Sequence, residues 1–171
     1  MKKLIAIAAA AAGIATFAAA QNEAVGSFSV RAGVAWPTSS DLSGTFFGLG
    51  VDYDFGKSLL GGTNGSTYLS FDWITKSTNA RRANLYPIMI NQKFQLSTSK
   101  EEGSLPIYGF IGVGAAIIDF GQSSTQLAGR IGLGAKVSTN VFFESAFVIT
   151  GRAKGTSIQG NHIGLWLGYK F

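Results

Sequence analysis

From residue 27 onward, apolar side chains recur at every second position in segment after segment, a period that suits strands and not helices. The last segment, 162–171, shows it most cleanly. Ile163, Leu165, Leu167, Tyr169 and Phe171 share one face, while His162, Gly164, Trp166, Gly168 and Lys170 share the other. Seven further segments read the same way. Residues 27–36 set Phe28, Val30, Ala32, Val34 and Trp36 against Ser29, Arg31 and Gly33, and 45–55 sets Phe47, Leu49, Val51, Tyr53 and Phe55 against Gly48, Gly50, Asp52 and Asp54. Residues 67–76 place Leu69, Phe71 and Trp73 opposite Ser70 and Asp72. Residues 85–96 carry Tyr86, Ile88, Ile90, Phe94 and Leu96, with Gln92 breaking the apolar face. Residues 106–117 are apolar on both faces, which leaves their facing open, with Ile107, Ile111 and Val113 on one side and Tyr108 and Phe110 on the other. Residues 126–137 set Leu127, Ile131, Leu133, Ala135 and Val137 against Gln126, Arg130 and Lys136, and 141–150 set Phe143, Phe147 and Ile149 against Glu144.

Turn-forming stretches separate these segments: Pro37 to Asp41, Gly61 to Gly65, Ser77 to Asn79, Ser138 to Asn140 and Gly151 to Gly160. Eight strands joined in sequence bring both ends of the sheet to one rim. The connections near Gly61 and near Lys100 to Gly103 are longer than that rim usually carries.

The first 20 residues read as an export signal. Lys2 and Lys3 precede an apolar run from Leu4 to Phe17, and Ala18-Ala19-Ala20 offers a small-residue cleavage site before Gln21. Beyond it no apolar stretch reaches the roughly 18 residues of a helical span. The expected organisation is a signal peptide over 1–20 and a single domain over 21–171. Export would follow the general secretory pathway. With Lys2 and Lys3 removed, 12 of the 14 basic residues remain against 9 acidic ones, a net charge of +3, too small to argue for nucleic acid. There is no cysteine, hence no disulfide framework, thiolate metal site or lipid-anchored cysteine.

Strands can cross lipid only as a closed barrel, because each unpaired backbone group there costs several kcal/mol. A soluble eight-stranded barrel of lipocalin type would turn the apolar face inward instead. The polar face separates the two. It gathers Arg31, Asp52, Asp54, Asp72, Asn91, Lys93, Arg130, Lys136, Glu144, His162 and Lys170 among many glycines. Balanced charges and small side chains suit a narrow lumen better than a solvated exterior. The expected fold is therefore all-β: an eight-stranded antiparallel up-and-down transmembrane β-barrel in the outer membrane. The signal peptide, the alternating strands, the glycine-rich run Tyr108 to Gly114 and the ending Gly168-Tyr169-Lys170-Phe171 resemble small OmpA/OmpX-type bacterial outer-membrane barrels. The resemblance implies an integral barrel with a structural, envelope-integrity role. It also implies an assembly signal at Leu165, Leu167, Tyr169 and Phe171, read by the barrel-assembly machinery after delivery by periplasmic chaperones. Alternatives are a small-solute porin, a lipid A-modifying barrel enzyme and a soluble periplasmic lipocalin-like barrel.

The lumen network is expected to join Arg31, Asp52, Asp54, Asp72, Lys93, Arg130, Lys136, Glu144 and Lys170. Neighbouring strands suggest Arg31 with Asp52 or Asp54, and Arg130 or Lys136 with Glu144. Arg81, Arg82, Arg152 and Lys154 fall on the rim opposite the chain ends and suit lipopolysaccharide phosphates. No catalytic residue, metal site or cofactor is expected, and the barrel is read as a monomer. Hydrolysis would need a base-activated nucleophile. His162 is the one imidazole, with Ser157 nearby in sequence and Asp119 a partner only through space. Asp52-Tyr53-Asp54 lacks the remaining ligands of a calcium loop, and Gly109 to Gly114 lacks the lysine of a phosphate loop.

Overall fold

The computed structural model describes residues 26–39, 42, 44–60, 65–77, 82–97, 105–152 and 158–171. The expected signal peptide lies outside them. The strands are β1 (Ser27–Pro37), β2 (Phe46–Asp54), β3 (Gly65–Ser77), β4 (Arg82–Gln95), β5 (Ile107–Asp119), β6 (Ser123–Lys136), β7 (Val141–Thr150) and β8 (His162–Lys170). Each pairs antiparallel with the next, and β8 pairs back onto β1 from Ser29↔Lys170 to Pro37↔His162, closing the barrel. Closure leaves the sheet without a free edge. Several strands outrun the apolar pattern that marks them: β4 begins at Arg82, three residues before Leu85, and β6 at Ser123, three before Gln126. The hydrogen-bond ladder continues there through polar residues, beyond the apolar band.

Both described ends lie on one rim, called here the terminal rim, with residues 55–60, 96–97, 105–106 and 137–140. The far rim carries 38–39, 42, 44–45, 120–122, 151–152 and 158–161, with the end of β3 and the start of β4. The three-residue link between β5 and β6 is possible because Gly121 takes φ +80°.

Every residue of the polar face points inward. The ambiguous β5 is settled as well: Tyr108 and Phe110 are buried inside, while Ile107, Ile111 and Val113 face out. The inward glycines explain how such rings fit a narrow bore. Gly132 lies against Phe110, Gly134 against Tyr108, Gly48 and Gly164 against Trp166, and Gly168 against Phe142; a Cβ at any of these would collide with the ring. At these positions the wall gives up a side chain where the lumen holds a ring.

Phe28, on the outward face, is nonetheless buried. Phe171 covers it at a centroid distance of 6.2 Å and donates its backbone N–H to the Phe28 carbonyl at 2.9 Å. Gln92 is an outward polar residue with a reason. It accepts the Thr67 hydroxyl hydrogen bond at 2.7 Å, and the connection after β2 folds over this pair, with Leu59 N–H donating to Thr67 Oγ1 at 2.9 Å.

Candidate functional site: a lumen in three layers

The layer nearest the far rim is apolar. Ala35, Phe46, Ile74, Ala83, Leu85, Ile118 and Trp166 come from the wall and pack with Leu42 from the connection after β1. Phe120 and Ile158, also from far-rim connections, pack against this cluster and complete a plug across that mouth. His162 lies buried on the inner face, its Nδ1 2.7 Å from the Gly160 carbonyl. Asp119 is on the outer face of the wall, where its carboxylate accepts from Asn84 at 3.4 Å, so the two do not meet. Ser157 is outside the described residues.

The middle layer is a buried ion-pair network. Arg31 Nη2 lies 2.8 Å from Asp52 Oδ1 and 2.8 Å from Asp72 Oδ1, and its Nη1 lies 3.1 Å from Glu144 Oε2. Arg130 closes on the other oxygen of Asp72 and donates to Ser70 Oγ at 3.0 Å. Asn91 donates to the same Ser70 hydroxyl at 2.9 Å, and Tyr108 donates its hydroxyl proton to Glu144 Oε1 at 2.9 Å. The Arg31 guanidinium also lies 5.2 Å from the Trp166 ring centroid. Through these contacts every strand from β1 to β8 contributes one side chain or more. Two cations meet three carboxylates. Removing one partner from such a set leaves a buried charge uncompensated, at a cost of about 3–5 kcal/mol.

Toward the terminal rim the lumen widens into an open cup of about 720 Å³. Here the charges are looser. Lys93 Nζ is 3.9 Å from Asp54 Oδ2 and sits over the rings of Tyr68 and Tyr108 at 4.9 and 4.7 Å. Asp54 also accepts from Ser66 and from the Gly56 N–H, both at 2.9 Å. Lys136 and Lys170 line the cup and form no ion pair among the described residues.

The nine expected lumen residues thus divide between two layers. Arg31 does pair with Asp52, but the pairing of Arg130 or Lys136 with Glu144 is replaced by Arg31–Glu144 and Arg130–Asp72. Register explains the change. Glu144 stands opposite Gly134 and Arg130 opposite Val148, so they lie at different depths, and in a narrow bore an arginine reaches across more readily than along. Tyr108, Tyr68 and Trp166 were absent from the expected network. For Tyr108 the signal existed in Gly134, its glycine partner across the pleat.

The outer surface is apolar all the way round, with Phe47 69%, Val113 72% and Leu127 84% exposed. Soluble monomers rarely expose contiguous apolar patches beyond a few hundred Å². Rings gather near both rims: Trp36 and Phe47 at the far one, Tyr53, Phe94, Phe143, Tyr169 and Phe171 at the terminal one. An apolar band between aromatic girdles is what a bilayer requires of a barrel.

Residues 6–171 match the family described as outer membrane protein beta-barrel domain. The chain belongs to that family. This outer-membrane barrel is similar in structure to Neisserial surface protein A, at 16% identity and a TM-score of 0.57 over 85% of this chain and 96% of that one. It is similar also to the outer membrane enzyme PagL, at 17% and 0.54 over 85% and 98%. With Ail of Yersinia pestis the values are 18% and 0.52 over 85% and 99%. At these identities the likeness is one of fold. No curated protein matches the outer-membrane barrel by sequence. Its outward Leu165, Leu167, Tyr169 and Phe171 face the lipid side of β8, with Tyr169 and Phe171 in edge contact at 5.1 Å. Arg82 and Arg152 are exposed at the far rim, whereas Arg81 and Lys154 lie outside the described residues.

Proposed function

We propose that this outer-membrane barrel is a structural envelope component without catalytic activity, a monomer whose lumen does not conduct. The observation that carries the reading is the stacking of an apolar plug on a desolvated ion-pair layer, which leaves the bore no continuous water path. An eight-stranded barrel has room for side chains or one small ligand, not for a channel. Planar-bilayer recordings of the folded protein should show no steady pore. Large, stable conductance steps would move the assignment to a small porin.

In this reading the chain is exported by its N-terminal signal through the general secretory pathway, and the terminal rim faces the periplasm. Periplasmic chaperones and the barrel-assembly machinery act on β8 through Leu165, Leu167, Tyr169 and Phe171. Deleting Phe171 should lower the amount assembled in the outer membrane far more than the stability of a barrel refolded in detergent; equal outer-membrane levels would refute the assignment. Arg81, Arg82, Arg152 and Lys154 hold lipopolysaccharide phosphates at the far rim. Replacing all four with Gln should reduce the lipopolysaccharide that co-purifies.

A further inference from the structure

We propose that the connection after β2 is a flap seated among the lipid headgroups at the terminal rim, with Leu59 and Leu60 inserted into the acyl chains of that leaflet. The chain leaves β2 through Gly56, whose φ of +68° suits glycine and whose N–H donates to Asp54 Oδ1 at 2.9 Å. It then stays against β3. Phe55 N–H donates to the Thr67 carbonyl at 2.9 Å, and Thr67 N–H donates to the Lys57 carbonyl at 2.8 Å. Leu59 N–H donates to Thr67 Oγ1 at 2.9 Å. The Thr67 side chain is on the outer face of β3, since Ser66 and Tyr68 on either side of it line the cup. The flap therefore lies on the outside of the wall.

Its depth follows from register. Thr67 stands opposite Gln92, between Leu69, which faces Tyr53, and Gly65, which faces Phe94. On the outer face of β4, exposed Ile90 lies to one side of Gln92, and exposed Phe94 and then Leu96 lie to the other. The apolar band thus runs past the polar pair toward the rim, and the pair needs shielding from lipid. It has that shield: Thr67 is 3% and Gln92 5% exposed. What covers them meets lipid in its turn, and there Leu59 is 61% and Leu60 75% exposed. They continue a surface that already faces lipid, which makes acyl chains the occupant and not a partner protein. Irregular backbone does not survive in the hydrocarbon itself. The flap avoids that depth by sitting level with the girdle rings Tyr53 and Phe94, where headgroups begin. Segments placed there bury apolar side chains about 5–10 Å into the boundary with the acyl chains. Lys57 is exposed and can keep its ammonium among the phosphates.

The test exploits the absence of cysteine from the chain. Leu60→Cys, Leu133→Cys on the outer face of β6 and Thr139→Cys in the link after β6 at the same rim each carry one nitroxide. The variants are folded into phosphatidylcholine vesicles, with unboiled gel mobility confirming the fold. Collisions with oxygen, which concentrates in lipid, and with a water-soluble nickel chelate are then read by spin resonance. The oxygen-to-nickel ratio at 60 should lie several-fold above that at 139 and approach that at 133. A ratio at 60 equal to that at 139 would overturn the proposal and leave the leucines to a partner protein. Position 133 reports separately whether the barrel itself sits in lipid. A label-free check uses the unaltered chain in phosphatidylcholine nanodiscs, where Leu59 and Leu60 methyls should show Overhauser transfer from acyl-chain methylenes. Transfer from water alone would reject the flap as membrane-seated.

Discussion

The two charged parts of the lumen differ in their cations, arginines in one and lysines in the other, and in what those cations do. In the middle layer Arg31 and Arg130 are buried, planar and multiply bonded, each contact fixing one strand against another. In the cup Lys93 reaches one carboxylate, while Lys136 and Lys170 have none within 4.0 Å among the described residues. The difference is access to water, set by which mouth is plugged. Where water is shut out, a charge must find its partner in the wall. Where water enters, solvent can take the partner's place.

Substitutions that treat the two layers alike would break this comparison. Glu144→Ala removes a partner from both Arg31 and Tyr108 in the dry layer, and should destabilise the detergent-folded barrel by about 3–5 kcal/mol in urea unfolding. A loss below about 1 kcal/mol would mean that water reaches the network. Gly48→Val should come next, at about 1–3 kcal/mol, because its side chain would enter the space of Trp166 at the base of the plug. Gly129→Ala is the control, since an added Cβ there meets nothing nearer than the Gly112 carbonyl at 3.9 Å. Lys136→Gln in the cup should change stability by no more than about 0.5 kcal/mol. A larger loss on the same unfolding curves would place Lys136 in a structural pairing and erase the contrast.

Much of this was legible in the sequence, and what was not has physical reasons. Alternation identified all eight strands and the inward set, because one face of each strand meets lipid and the other does not. It failed on 106–117, where the inner face is also apolar, and only the glycines of the neighbouring strand could have told the faces apart. It also left Gln92 as an anomaly, since its partner Thr67 lies on another strand and the chain covering both comes from a connection. Ion-pair partners were hardest to read. Adjacency along the sheet gives nearest neighbours, whereas in a narrow tube the side chains meet across the bore. The plug was hidden for a related reason: Leu42 sits in a polar turn, and nothing local shows that it folds back into the mouth.

Arg31 also bears on how the barrel closes. It lies on β1, yet one of its partners, Glu144, is 113 residues away on β7, next to the strand that must seal the seam. The pairing of β1 with β8 joins chain segments far apart in sequence, the slowest kind of contact to form. A seam joined one residue out of step would turn the inner face of β1 or of β8 toward the hydrocarbon. Were it β1, an arginine near the bilayer midplane would cost about 2–4 kcal/mol, and Asp52 and Glu144 would lose their cation. In the closed barrel the guanidinium therefore ties the first strand, across the bore, to a strand beside the last.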